Sequence, residues 1–523
     1  MRTRTIVLTV VVALVVLVAG AVGVGFAAYQ LVKDDSSGGS ASPSTPAPAP
    51  SPSGTLPSAP PNLASFYHQK LDWSSCAGND QCAYLKVPLD YADPGARTIR
   101  LAVLRVPAQE RSKRVGQLVV DPGGPGGSAI QYAASGSLAF GATIARYYDI
   151  VGMDPRGVGE STPLQCLDTQ GRDAFLASDP SPDTPAEVTD LDGLIKRFGD
   201  ACLAKDRGLV EHMSTVEAAK DMDVLRAALG EPKLDYHGAS YGTLLGATYA
   251  NLFPTHVGRM VLDGAIDPAL TNVQFTLGQA HGFQTALDAF VADCLENSCP
   301  LGQDKQAALD KIQQLLKQID QQPLRTSSDR ELTEGLATAG VAYPLYSKTL
   351  WPRLRDALSQ AIDNGDGTQL LSLADAYNSR GPSSYTDNGT NALYAVNCLD
   401  HDDYVTSSDV PRYFPEFEKE APSFAHWFAY GLSTCSTWPV RSGQHTTALH
   451  AAGAPPIVVI GTTRDPATPY PWAKALAKEL DSGHLISRDG DGHTGFNMGN
   501  QCVDDAVNSY LVRGKVPRDG LSC

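Results

Sequence analysis

A chain of 523 residues, 42% hydrophobic and 19% charged, is long enough for one large core with an insertion or for two domains. Its net charge of −16 argues against nucleic acid as a partner, because phosphate binding needs a basic face. The charge suits a soluble, exported protein and carries little information on fold.

Residues 1–33 stand apart from the rest. Arg2 and Arg4 precede "IVLTVVVALVVLVAGAVGVGFAA", an uncharged apolar run. About 20 such residues span a bilayer. Residues 6–28 therefore read as a membrane anchor whose leading arginines keep the N-terminus inside. The rival reading is a cleaved signal peptide, with Gly25 and Ala27 as its small-residue cleavage pair. Both place the bulk of the chain outside the cytoplasm. Residues 34–63, rich in Pro, Ser and Ala, cannot bury a core and read as a solvated tether.

From residue 64 to 266 short apolar runs alternate with helical patterns. "GQLVVDPGGPGGSA" and "YYDIVGMDPRGVGES" are strands ending in glycine loops. The helix "STVEAAKDMDVLRAALG" follows, with Ser214 and Glu217 spaced as a capping box and Gly230 as its stop. "LDYHGASYG" is a strand running into a tight turn, and "GRMVLDGAIDP" is another strand with a polar end. Residues 267–448 break the rhythm with helical stretches such as "QAALDKIQQLLKQI" and read as a mainly helical cap. The strand plan returns over 449–523 in "APPIVVIGTTRDPATP" and "SGHLISRDGDGHTG". The expected fold class is α/β: a mostly parallel sheet flanked by helices, with the cap over its active end. Polar and glycine-rich residues cluster at the C-terminal ends of the strands, where open α/β sheets bind ligands.

The ten cysteines form an even set, which in an exported chain reads as disulfides. The simplest pairing joins sequence neighbours: 76–82, 166–202, 294–299, 398–435 and 502–523. No spacing suits a zinc cluster. "DGDGH" begins like a calcium loop but puts His493 at a ligand position and lacks the carboxylate-bearing remainder. "NGT" at Asn388 matches a glycosylation sequon by chance and reads as an exposed turn. No metal or cofactor is expected.

Gly238-Ala239-Ser240-Tyr241-Gly242, between a strand and a helix, has the form of a nucleophile elbow, whose sharp turn demands small neighbours. In that plan the orienting acid and the base follow the serine in chain order. Asp465 and His493 each stand just past a strand and fit those roles. Asp263 is the rival acid, one strand too early. His237 lies within the strand, His256 in a turn, and His484 at the wrong end of its strand. An oxyanion hole needs two backbone N–H groups. Tyr241 follows the serine, and Gly124 is the better donor of the early glycine loop, since Pro125 has no N–H. That loop lacks the P-loop and dinucleotide fingerprints.

Together these residues resemble the prolyl aminopeptidase/tripeptidyl aminopeptidase family of α/β-hydrolases, most closely its secreted actinobacterial and mycobacterial cell-envelope branch. The resemblance runs from about residue 66 to the end. Pro122-Gly123-Gly124-Pro125-Gly126 stands for the family's His-Gly-Gly-Pro-Gly, with the histidine lost as in the secreted branch. Asp154-Pro155-Arg156-Gly157-Val158-Gly159-Glu160-Ser161 matches a second motif, in which Asp154 and Arg156 read as buttresses. The resemblance implies hydrolysis of peptide bonds near a free N-terminus, with peptide or protein N-termini as substrates. A carboxylate in the cap would bind the substrate ammonium. Asp400, beside Cys398 in "VNCLDHDD", is the choice, against a solvated acidic turn. An esterase or lipase on the same triad, or a catalytically inactive surface binding protein, are the alternative readings.

Overall fold

The computed structural model describes residues 56–523 apart from residues 298, 445 and 446. The anchor or signal segment expected at residues 6–28, and most of the tether, lie outside the described residues. Among those described, no helix is long and apolar enough to cross a membrane.

A ten-stranded sheet organises the chain. It begins with three antiparallel strands, β1 (Ser74–Ala77), β2 (Asp80–Pro88) and β3 (Thr98–Val106). Burial alternates along the second half of β2, as expected where one face meets solvent. Then come β4 (Gly116–Asp121), β5 (Tyr148–Met153), β6 (Leu234–Ala239), β7 (Val257–Asp263), β8 (Ile457–Arg464), β9 (Gly483–Asp491) and β10 (Leu521–Ser522). Across the sheet the order is β1-β2-β3-β5-β4-β6-β7-β8-β9-β10, and every pair from β5 to β10 is parallel. β5 is buried throughout, as are all but the first residue of β4. Both faces of such strands are covered by helices, which is why they read as unbroken apolar runs.

Among these helices, α1 (Thr215–Ala228) starts where Ser214 Oγ accepts the Glu217 N–H, and the chain leaves it through Gly230 at φ +76°. α2 (Tyr241–Leu252) follows β6 with no intervening loop. Between β7 and β8 the chain is mainly helical, including α3 (Asn272–Glu296), α4 (Lys305–Gln321), α5 (Trp351–Asn364) and α6 (Gly389–Asp400). On α4 the buried residues Ala308, Leu309, Ile312, Leu315, Leu316 and Ile319 recur at three- and four-residue spacing and form one apolar stripe. That stripe packs with Phe283, Phe290, Leu354 and Phe417 into a hydrophobic cluster separate from the two that sandwich the sheet. The helical segment thus carries its own core.

All ten cysteines are paired, in the five neighbour pairs expected from the sequence. Cys398–Cys435 ties the C-terminal turn of α6 to the end of the helical segment. The reading of Asn388 as an exposed turn is wrong. Its side chain is buried, donates to the carbonyls of Gly157 and Leu164, and accepts the Gly159 N–H. The sequon looks polar and local, but the carbonyls that satisfy it lie more than 220 residues away in sequence.

Candidate active site

Ser240 sits between β6 and α2 at φ 57° and ψ −126°, a conformation that costs an L-residue about 1–3 kcal/mol. The turn is possible because its neighbours have no side chains. A Cβ on Gly238 would lie 2.3 Å from the Gly242 carbonyl oxygen, and one on Gly242 would lie 2.8 Å from that of Asp121. Ser240 N–H donates to the Asp263 carbonyl at 2.9 Å, which pins the elbow to β7. The Ser240 carbonyl accepts from Thr243 N–H and Oγ1–H, and Thr243 Oγ1 in turn accepts the Ile266 N–H.

Asp465 and His493 emerge beyond the C-terminal ends of β8 and β9, and the fold brings them together. His493 Nδ1 lies 2.8 and 2.9 Å from the two Asp465 oxygens. The Asp465 carboxylate is 2% exposed and also accepts from Ala467 N–H, Thr468 N–H, Thr468 Oγ1–H and Thr494 N–H. It is therefore fixed in orientation by five donor groups. Burial opposes protonation of His493, but the Asp465 charge and the more distant Asp263 outweigh it, and the imidazole is lifted above the ordinary histidine value. His493 Nε2 is buried with no hydrogen-bond partner among the described residues. Ser240 and Thr468, whose hydroxyl touches both Asp465 and His493, line one cavity. No hydrogen bond joins the Ser240 hydroxyl to His493 in this structure.

The glycine loop lies directly against the elbow. A Cβ on Gly123 would fall 2.7 Å from Tyr241 N and 3.0 Å from Ser240 Cβ, so only glycine allows the approach. Asp121, at the end of β4, accepts the Gly123 N–H at 2.8 Å and holds the loop. Burial pushes the Asp121 carboxyl up to about 7, offset in part by that N–H. The amides of Gly124 and Tyr241 have no acceptor among the described residues. Tyr241 is the first residue of α2, where N–H groups have no intrahelical partner. Both residues line the same cavity as Ser240.

That cavity holds about 450 Å³, within the usual range for ligand sites. Its outer wall is aromatic, with Phe283, Tyr346, Tyr377, Trp427 and Phe428 from the helical segment. Asp400, at the end of α6, lines it from another side. Asp400 Oδ1 accepts Thr215 N–H at 2.8 Å and Oδ2 accepts Thr215 Oγ1–H at 2.5 Å. Thr215 Oγ1 also bonds the Tyr241 hydroxyl. Burial pushes the Asp400 carboxyl up to about 7 despite these donors. The alternative of a solvated acidic turn is overturned: Asp400 is half-buried and faces the cavity.

The rival residues have other occupations. Asp263 accepts Gly495 N–H and Phe496 N–H, each at 2.8 Å, and so braces the loop after His493. His237 is buried among Tyr132, Phe140 and Phe496, and burial lowers it to about 4. His256 pairs with Asp223. Asp154 accepts from Ser128 Oγ–H, Ile130 N–H and Glu160 N–H, and Arg156 forks onto Asp221; both are buttresses. The "DGDGH" segment supplies Asp491, which pairs with Arg464 and Lys348. Thr468 and Thr215 were given no role from sequence. Thr468 had a signal: it stands three residues after Asp465, the spacing at which a carboxylate and a hydroxyl share a turn.

Residues 421–523 match a family model described as TAP-like protein. The chain is 37% identical over 496 residues to "Serine protease Hip1" of Mycobacterium tuberculosis, covering 90% of this chain and 93% of that one. It is also 37% identical over 506 residues to "Carboxylesterase B" of the same species, covering 90% and 96%. With "Tripeptidyl aminopeptidase" of Streptomyces lividans the identity is 33% over 470 residues, covering 87% and 86%.

Proposed function

The chain belongs to the tripeptidyl aminopeptidase-like family of α/β-hydrolases, and on that premise we propose that it is an extracytoplasmic serine exopeptidase that cleaves peptide bonds near a free N-terminus. One observation carries the catalytic part: His493 is clamped at Nδ1 by a buried Asp465, its Nε2 has no partner among the described residues, and Thr468, which touches both, lines one cavity with the strained Ser240 elbow. In this reading His493 Nε2 takes the Ser240 hydroxyl proton as Oγ attacks the carbonyl carbon. The N–H groups of Tyr241 and Gly124 stabilise the oxyanion. The imidazolium returns its proton to the leaving amine, and water repeats the sequence on the acyl-enzyme. Asp465 keeps the ring in the tautomer that presents a bare Nε2 and steadies the imidazolium.

Asp400 is assigned the substrate's ammonium. A carboxylate has about four lone-pair sites. Thr215 occupies two of them. An incoming ammonium would find the remaining acceptors in the cavity wall and favour the charged carboxylate. The five disulfides and the apolar residues 6–28 support a location outside the cytoplasm, anchored or secreted.

The relative named a carboxylesterase, at the same identity as the named protease, favours an esterase as the second reading. Peptide nitroanilides with free and acetylated N-termini, assayed beside nitrophenyl esters, separate the two. Amide cleavage that requires the free amine supports the exopeptidase. Ester cleavage without amide cleavage sinks it. Loss of both on Ser240→Ala ties either activity to the elbow.

A further inference from the structure

Tyr346 touches the base twice from outside the serine–histidine–aspartate chain. It ends a 3₁₀ turn, Tyr343–Tyr346, in the helical segment between β7 and β8. Its carbonyl accepts the His493 N–H at 2.9 Å. Its ring stands at 90° to the imidazole with centroids 5.4 Å apart. The loop is folded hard onto this peptide: Gly492, at φ +95°, approaches so closely that a Cβ would lie 2.8 Å from the Tyr346 oxygen. Two residues on, Lys348 reaches Asp491 at 3.3 Å and Asp293 of α3 at 3.4 Å. The Tyr346 ring also packs on Phe283 and Tyr377.

Asp465 grips His493 at one atom. A ring held at Nδ1 alone can still tilt about that point, and the opposite nitrogen moves most. A misplacement of about 1 Å is enough to cost roughly a hundredfold in rate. The Tyr346 carbonyl and ring supply the missing restraint, one on the main chain and one beside the imidazole. Tyr346 is also part of the cavity wall. We propose that Tyr346 is a positioning residue for His493, through which the helical cap holds the imidazole that serves as the base. The inference rests on His493 being the base in the reading above.

A residue that only lines the substrate cavity would affect peptide binding and nothing else. The test therefore uses reagents too small to need the cap: diisopropyl fluorophosphate for the labelling rate of Ser240, and p-nitrophenyl acetate for turnover. Peptide nitroanilides run alongside in the full chain. Tyr346→Leu is expected to slow labelling and acetate turnover by about 10–100-fold. Tyr346→Phe keeps the ring and the carbonyl and is expected to stay near the parent rate. In Tyr346→Leu the acid limb of kcat/KM should move to higher pH, because relaxing the burial of the imidazole favours its charged form. If Tyr346→Leu melts earlier than the parent, Gly492→Ala takes its place, since it pushes the loop off Tyr346 from outside the cavity, with the same expectation. Parent-like labelling with a changed KM for peptides alone overturns the inference and leaves Tyr346 as wall. His493→Ala separates the two levels: parent-like labelling there sinks the base assignment itself, whereas its loss beside an unaffected Tyr346→Leu sinks only the positioning role.

Discussion

The imidazole of His493 is held at Nδ1 by both oxygens of Asp465, at 2.8 and 2.9 Å, while the same carboxylate gathers three backbone N–H groups and one hydroxyl. An amide in place of this carboxylate must point its NH₂ at donors on one side. Asp465→Asn is expected to lower kcat by about 10³–10⁴-fold through loss of the productive tautomer. It should also destabilise the fold, because buried donors lose their acceptor. Steady-state kinetics with a thermal melt checks both. A kcat within a factor of a few of the parent would remove Asp465 from the triad.

Activity should fall on acidification at a pH above the ordinary histidine range. In the proposed mechanism the base must be neutral to accept the serine proton, and Asp465 raises the pKa of His493 against the opposing effect of burial. The sign is fixed: as pH falls through a raised pKa, the imidazolium accumulates earlier and kcat/KM drops with a slope of one. A profile of kcat/KM against pH for an N-acetylated ester isolates this limb from titration of the substrate amine. An acid limb below pH 6 would contradict the assignment.

Asp400 should discriminate free-amine from blocked substrates. A charge-assisted hydrogen bond is worth about 1.5–3 kcal/mol, or roughly 10–150-fold. Asp400→Asn is expected to lower the ratio of kcat/KM for free-amine over acetylated peptides by that factor. The parent ratio should itself decline as pH falls below about 7, where the empty-site carboxyl takes up its proton. An unchanged ratio in Asp400→Asn would return the residue to a purely structural role beside Thr215.

The strain at Ser240 gives a stability prediction independent of any substrate. Ser240→Ala removes the proposed nucleophile and keeps the unfavourable φ of 57°, whereas Ser240→Gly removes both. Relief of about 1–3 kcal/mol is offset by the greater unfolded-state entropy of glycine, about 0.5–1 kcal/mol. Ser240→Gly should therefore exceed Ser240→Ala in stability by about 1 kcal/mol in denaturant melts, with both inactive. Equal stabilities would mean that the elbow stores no strain.

The elbow was legible because its constraint is local: small residues on either side of one serine within a five-residue turn. Asp465 and His493 were legible because each follows an apolar run, and strand order decided their meeting. The antiparallel β1–β3 edge did not stand out, since a run of consecutive apolar residues in β3, Leu101 to Leu104, breaks its alternation. Residues that act through distant contacts were invisible. Thr215 meets Asp400 across 185 positions, and Tyr346 meets His493 from inside a segment whose pattern says only that it is helical. Asn388 was misread for the same reason: a polar triplet announces solvent unless its partners are known.

The burial of Asn388 bears on how the protein can be produced. Its Nδ2 is the atom that a eukaryotic secretory pathway would glycosylate, and it already donates to two buried carbonyls. Once folded, the chain offers the oligosaccharyltransferase no target. A glycan added to the nascent chain would instead stand between α6 and the loop at Gly157–Leu164, beside the glycine loop that Gly126 packs against Gly389. Expression in yeast or mammalian cells should then divide the product into an unmodified soluble fraction and a glycosylated insoluble one. A bacterial exporter, or Asn388→Gln tested for retained packing, avoids the division.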